Sequence, residues 1–179
     1  MKEDFMKKLQ LLLVLVLFVI LLIINVNSAA MSPGMKVLNQ YIGTWKSHIV
    51  FQPAAWSPRK EEVTGTTKVE WILKDQFQKI TRQSDKHEML EIQRYDEESK
   101  KFHRWNFDAN GGTSFWIGSW DNKSRTMTWE YVDFGMGIKG KMVDSFTAEG
   151  EYQTTLVMED GSGRLLFLDT RTTLTRMDK

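Results

Sequence analysis

The sequence predicts an all-β fold, a closed antiparallel up-and-down β-barrel of about ten strands with a short N-terminal helical cap, on three observations. Turn clusters recur at near-regular intervals: Lys74-Asp75, Ser84 to Lys86, Asp96 to Lys100, Asn110 to Gly112, Asp121 to Ser124, Phe134-Gly135, Ala148 to Gly150 and Asp160 to Gly163. The runs between them alternate with period two. Met127, Trp129 and Tyr131 interleave with Thr126, Thr128 and Glu130, and Tyr152, Thr154, Leu156 and Met158 with Glu151, Gln153, Thr155 and Glu159. Such alternation buries one face and wets the other. Finally, no amphipathic helix is available between the strands to serve as the crossover a parallel sheet needs.

The elements follow in order along the chain. Leu11 to Ile24 is an uninterrupted apolar run preceded by Lys7 and Lys8 and followed by Ser28 and Ala30. It is shorter than the ~20 residues that cross a bilayer, and the small residues stand where a signal peptidase cuts. Residues 1–30 are therefore read as a signal peptide cleaved after Ala30, with an uncleaved N-terminal anchor as the alternative. Residues 31–179 form a single domain of a size that supports one core. Ser32 to Gln40 reads as the cap, with Val37, Leu38 and Tyr41 at helical spacing before Gly43 stops it. Ten strands follow: Gly43 to Phe51, Glu61 to Leu73, Gln76 to Gln83, His87 to Tyr95, Phe102 to Phe107, Thr113 to Trp120, Thr126 to Val132, Met136 to Phe146, Glu151 to Glu159 and Arg164 to Thr175. Phe115 to Trp120 is apolar on both faces, which predicts a strand covered on both sides or one whose outer face meets a partner. Closure removes the two edges an open meander would expose.

Composition narrows the chemistry. There is no cysteine, which excludes disulfides, thiolate metal sites and a cysteine nucleophile. Removing Lys2, Lys7, Lys8, Glu3 and Asp4 with the leader leaves 21 of 24 basic and 21 of 23 acidic residues. A neutral, mixed surface gives no electrostatic reason for nucleic acid or an anionic membrane as partner. The predicted location is secreted or periplasmic.

Gly43-Thr44-Trp45 after a short cap is the start shared by lipocalins and related calycins, in which the tryptophan plugs the closed end. The ordered pattern continues with Thr64-Gly65-Thr66, Trp71-Ile72-Leu73, Tyr95-Asp96, Lys100-Lys101-Phe102, Trp105, Gly118 and Thr126-Met127-Thr128. Over nearly all of the mature chain it resembles the secreted members of the domain-of-unknown-function family 1579. The resemblance implies a calycin-like barrel and names no activity; Lys46-Ser47-His48 departs from that family's glycine-rich first strand. Some barrels of this kind hold haem through a histidine in the C-terminal strands, but here no histidine follows His103. No cofactor is expected.

Motifs that suggest catalysis have simpler explanations. Gly135 to Lys141 matches a glycine fingerprint and much of a phosphate loop, yet it runs into a strand rather than a helix N-terminus, and Met142 replaces the magnesium-binding hydroxyl. A glycine-bearing turn and a bent strand account for it. Ser162 sits in a hairpin turn without the surroundings of a nucleophile elbow. His48, His87 and His103 share no metal-ligand spacing, so no metal site is predicted. No catalytic residue is assigned, and the chain is read more as a binder than an enzyme.

The candidate site is therefore the interior. Seven Trp, ten Phe and four Tyr supply aromatic walls, of which Trp105, Trp129 and Tyr131 are assigned to a ligand. Arg94, Arg104 and Arg171 are candidates to meet a ligand carboxylate if they point inward, with apolar walls supplying most of the affinity. The expected partner is a small apolar or anionic amphipathic molecule. The alternatives are an enzyme of unassigned class using the same cavity, and a filled barrel that binds another protein on its outer surface.

Overall fold

A computed structural model describes residues 31–147 and 150–177. The leader and its cleavage site lie outside the described residues, as does most of the turn expected at Ala148 to Gly150.

The cap is a helix α1 (Pro33–Leu38) continued by one 3-10 turn (Asn39–Tyr41). Ten antiparallel strands follow: β1 (Gly43–Phe51), β2 (Glu61–Ile72), β3 (Phe77–Ser84), β4 (Glu88–Asp96), β5 (Lys101–Asp108), β6 (Thr113–Asp121), β7 (Thr126–Tyr131), β8 (Ile138–Phe146), β9 (Glu151–Asp160) and β10 (Leu166–Arg176). Each pairs with the next, and β1 pairs with β10 from Trp45 opposite Arg176 to Phe51 opposite Thr170, so the barrel is closed. The expected all-β, up-and-down architecture is thus observed, cap included.

Strand ends move by one or two residues from their expected places, and side-chain caps explain two of the shifts. The Asp133 carboxylate accepts the backbone N–H of Met136 at 3.0 Å and of Gly137 at 2.9 Å, holding them in the loop, so β8 starts at Ile138. Asp160 Oδ1 accepts the N–H of Arg164 at 2.7 Å and of Leu165 at 3.0 Å, which delays β10. These short Asp-to-backbone bonds compete with ladder pairing at the strand ends.

The two ends of the barrel differ. At one end the cap buries Leu38 and Tyr41 against Trp45, Tyr152 and Phe146. The rings meet edge to face, with Trp45–Tyr152 at 5.0 Å and Tyr41–Phe146 at 4.8 Å, the geometry that aromatic quadrupoles favour. Trp45 Nε1 donates to the Tyr41 carbonyl at 2.8 Å, and the Arg176 guanidinium lies 4.3 Å over the Trp45 ring while donating to the Ile42 carbonyl at 2.8 Å. First strand, last strand and cap are locked together around one indole. The β1–β2, β3–β4, β5–β6, β7–β8 and β9–β10 connections lie at the other end, the mouth, where Trp56 of the first stacks on Phe167 at 5.1 Å.

The doubly apolar run in β6 divides as a strand must. Trp116, Gly118 and Trp120 face inward, while Phe115 stacks on Trp105 at 5.1 Å on the outer face and Ile117 is exposed. Gly118 is required by its neighbour, because a Cβ there would lie 2.6 Å from Trp129 Cε3. Gly118→Val is expected to lower stability by about 1–3 kcal/mol through overpacking of the Trp129 ring, read as a reduced urea midpoint with an unchanged slope.

Candidate functional site

The interior is stratified. Just inside the cap lies a layer of buried polar side chains supplied by the inward parity of β3, β4, β5, β8 and β9. Gln78 Nε2 donates to the Leu38 carbonyl at 2.8 Å, Gln93 Nε2 donates to Gln78 Oε1 at 2.7 Å, and Arg104 Nε donates to Gln93 Oε1 at 2.9 Å. Arg104 Nη2 then reaches Asp144 Oδ2 at 3.4 Å. The same oxygen accepts the Tyr41 hydroxyl at 2.7 Å and Trp129 Nε1 at 2.9 Å, and Oδ1 accepts the Thr154 hydroxyl at 2.7 Å. The chain of bonds leaves the cap at Leu38 and returns to it at Tyr41.

A second ion pair completes the layer. Arg82 Nε donates to Glu91, whose other oxygen is 3.7 Å from Arg104 Nε, and Arg82 Nη1 reaches Thr67 Oγ1 at 3.4 Å. Two guanidinium groups and two carboxylates therefore share the interior with no net charge. Burying either charge alone would cost several kcal/mol, and removing one partner of such a pair costs ~3–5 kcal/mol because the other stays uncompensated. The Arg104 guanidinium also lies 4.0 Å over the Trp129 ring, which satisfies its face as the hydrogen bonds satisfy its edge.

Ionisation reflects the setting. Burial pushes the Tyr41 hydroxyl well above its usual 10.0, the nearby Asp144 charge adds to the rise, and Arg104 opposes it. Burial likewise raises Tyr152. For Arg82 burial acts to lower the value, but Glu91 prevails and the guanidinium is held charged.

Beyond this layer, toward the mouth, the interior holds two cavities. One cavity of about 330 Å³ is walled by Trp116, Tyr131, Ile138, Leu156, Met158 and Leu168. A second, of about 250 Å³, lies against Ile49, Phe51, Arg82 and His87, and both touch Met89 and Asp108. The first is a chamber of the size that holds a small organic molecule. Its walls are mostly apolar. Asn106, on the border of the chamber, has a buried amide oxygen with no hydrogen-bond partner among the described residues. An unsatisfied buried carbonyl costs free energy that a donor from a bound molecule would recover.

The sequence-derived candidates separate on this geometry. Arg104 points inward as its parity with Phe102 predicts, but its donors are committed to Gln93, Asp144 and Glu91 rather than to the chamber. Trp129 is wholly buried and serves the polar layer. Tyr131 lines the chamber wall. Arg94, Arg171 and Trp105 lie on the outer face: Arg94 Nη2 donates to Asp96 at 2.7 Å, Arg171 is exposed, and Trp105 stacks on Phe115. The interior placement considered for Arg94 fails because Leu90 and Ile92, which share its face, look outward, Leu90 being exposed. Sequence reasoning missed Arg82, Glu91, Gln78, Gln93, Asp144 and Asn106. The signal that could have found them is parity: Glu91 and Gln93 alternate in step with Met89 and Tyr95, and Asp144 with Met142 and Phe146.

Asp144 accepts from four donors, so both of its oxygens are occupied within the polar layer, and Ser162 donates to Asp160 at 2.6 Å within its turn. Among the described residues no three His, Asp or Glu side chains converge as a metal site. The glycine segment 135–141 is loop followed by the start of β8, not a helix N-terminus.

Two outcomes follow from the polar layer. Arg104→Met is expected to destabilise the protein by ~3–5 kcal/mol because Asp144 is left buried without its counter-ion, measured by thermal or urea unfolding. Tyr41 and Tyr152 have folded-state values above the unfolded 10.0, so their contribution is fully present below pH 10 and is lost as pH rises above it. Tyrosinate absorbance at 295 nm is expected to show both rings ionising only as the fold opens, and Tyr41→Phe is expected to flatten the alkaline loss of stability.

No family model matches the chain, and no curated protein matches it. Among solved structures the barrel is similar to the S-type phycobiliprotein lyase CPES of Guillardia theta, with a TM-score of 0.52 at 11% identity over 80% of this chain and 92% of that one. A protein of unknown function from domain-of-unknown-function family 3598 of Nostoc punctiforme aligns at 7% identity over 82% of this chain and all of that one, but with a TM-score of 0.26. The likeness to the lyase is one of fold alone, in keeping with the closed ten-stranded antiparallel barrel seen here.

Proposed function

We propose that this protein is an exported, non-enzymatic barrel that binds a small, largely apolar molecule in the chamber at its open end. The observation that carries the reading is the chamber itself. A small barrel ordinarily fills its interior with side chains, whereas here filling stops at the polar layer, and Trp116, Tyr131, Leu156 and Met158 enclose space. The unpartnered Asn106 oxygen supplies one directional contact, suited to a hydroxyl or amine donor on the ligand. The similar fold of a phycobiliprotein lyase supports a barrel of this shape serving a small-molecule role, at the level of architecture alone.

Export rests on the apolar run Leu11 to Ile24 and the small residues that follow it, and assignment to family 1579 rests on the ordered residue pattern from Leu38 to Thr128. An intact mass beginning at Met31 in the secreted fraction supports cleavage; a membrane-bound protein retaining Leu11 to Ile24 refutes it.

Leu156→Trp tests the chamber, because the indole would occupy it from a wall position. Native mass spectrometry of the protein purified from its own host is expected to show a co-purifying small molecule in the wild type and none in the variant, with an equal or higher Tm for the variant. A wild type that is bare, and stays bare when titrated with apolar probes, overturns the proposal.

A further inference from the structure

The barrel wall has a seam. The β7–β8 ladder ends at Glu130 opposite Lys141, although β7 remains paired to β6 as far as Tyr131, and β8 remains paired to β9 as far as Ile138 opposite Asp160. Val132 continues on the β6 side, its N–H donating to the Phe115 carbonyl at 2.9 Å. The two strands therefore diverge toward the mouth, each held by its other neighbour. Gly140 sits in this divergence. A Cβ there would lie 2.7 Å from Tyr131 Cβ and 3.0 Å from Trp116 Cη2, so glycine lets the chamber wall lie against the seam without a side chain between.

Outside the seam is a groove of about 620 Å³. Tyr131 and Ile138 line both this groove and the interior chamber, so one pair of side chains separates the two spaces. Lys139 and Lys141 project from β8 into the groove, exposed, and neither makes an ion pair among the described residues although Glu159 and Glu130 stand opposite them in register. Three carboxylates also line the groove: Asp133 is committed to the backbone N–H groups of its own loop, whereas Glu130 and Glu159 stand beside the lysines and compete with an incoming anion for them. Two exposed ammonium groups thus stand in the groove, on the outer side of Tyr131 and Ile138.

We infer that the β7–β8 seam is part of the binding site, and that the ligand is a single-chain amphipathic carboxylate whose apolar body lies in the chamber while its anionic end passes between Tyr131 and Ile138 to Lys139 and Lys141. The inference rests on the chamber reading and adds the ligand's charge and its direction. The interior arginines cannot fill that role, since Arg82 and Arg104 are neutralised by Glu91 and Asp144. The exposed lysines can, at little desolvation cost to themselves.

The test uses cis-parinaric acid and its methyl ester, which share one body and differ in charge. Wild type is expected to bind both by fluorescence titration, the acid at least tenfold more tightly. In the double variant Lys139→Gln, Lys141→Gln the acid is expected to fall to the affinity of the ester, with the ester unchanged within twofold. The control Lys46→Gln, Lys123→Gln removes the same charge elsewhere and is expected to leave both affinities unchanged. If the ester binds but the acid is indifferent to Lys139 and Lys141, or responds equally to the control, the seam is not the site and the chamber reading stands. If neither probe binds the wild type, the chamber reading fails and the seam inference fails with it.

Discussion

Three buried charges and a fourth that is partly buried decide how this barrel is put together. Arg82, Glu91, Arg104 and Asp144 cancel one another in the interior, and the hydrogen bonds that hold them reach both ends of the cap through Leu38 and Tyr41. Their attraction offsets a desolvation cost that only good geometry can meet, so the strands that carry them have little freedom of register. A shift of one residue in β5 would turn Arg104 to solvent and leave Asp144 alone in the core. The closed end depends on the same bonds, since Tyr41 is anchored by Asp144 before it can pack on Phe146 and Tyr152.

This arrangement assigns separate work to the two halves of the interior. The half under the cap is filled, polar and internally satisfied, and it provides cooperativity and register. The half under the mouth has mostly apolar walls and is less completely filled, so it gives up packing energy that a fully filled barrel would retain. Trp116 stands at the boundary, with its ring edge to face with Tyr131 at 5.4 Å and its Nε1 bonded to Ser114 at 2.9 Å. Holding the wall rigid there preserves the space beyond it.

Much of the fold was legible from residues alone, because turn chemistry and period-two alternation are local. The ten strands and the cap needed no long-range information, while the plugging role of Trp45 was implied by the resemblance to calycin starts. The polar layer was harder to read, for a physical reason. In β3 the residues Phe77, Lys79 and Thr81 alternate with Gln78, Ile80 and Arg82, so neither face is clearly apolar, and only cross-strand neighbours determine which is buried. Arg94 shows the converse, since Leu90 and Ile92 on its face gave it an inward-looking signature although that face is outside. The chamber could not be read at all, because empty volume depends on the distance between walls and leaves no trace in a linear pattern. Asn106 appears in the sequence as one more polar strand residue, and only its surroundings make its amide oxygen unusual.

The pairing of β1 with β10 has a consequence for the life history of the chain. The first strand to be synthesised has for one of its two neighbours the last, so the cylinder cannot be completed until Arg176 has been made. Until then an incomplete molecule exposes the bonding groups of β1 on one side and of its newest strand on the other, both able to recruit foreign strands. Premature termination anywhere before residue 166 would thus yield a sticky ribbon rather than a shorter version of the same container.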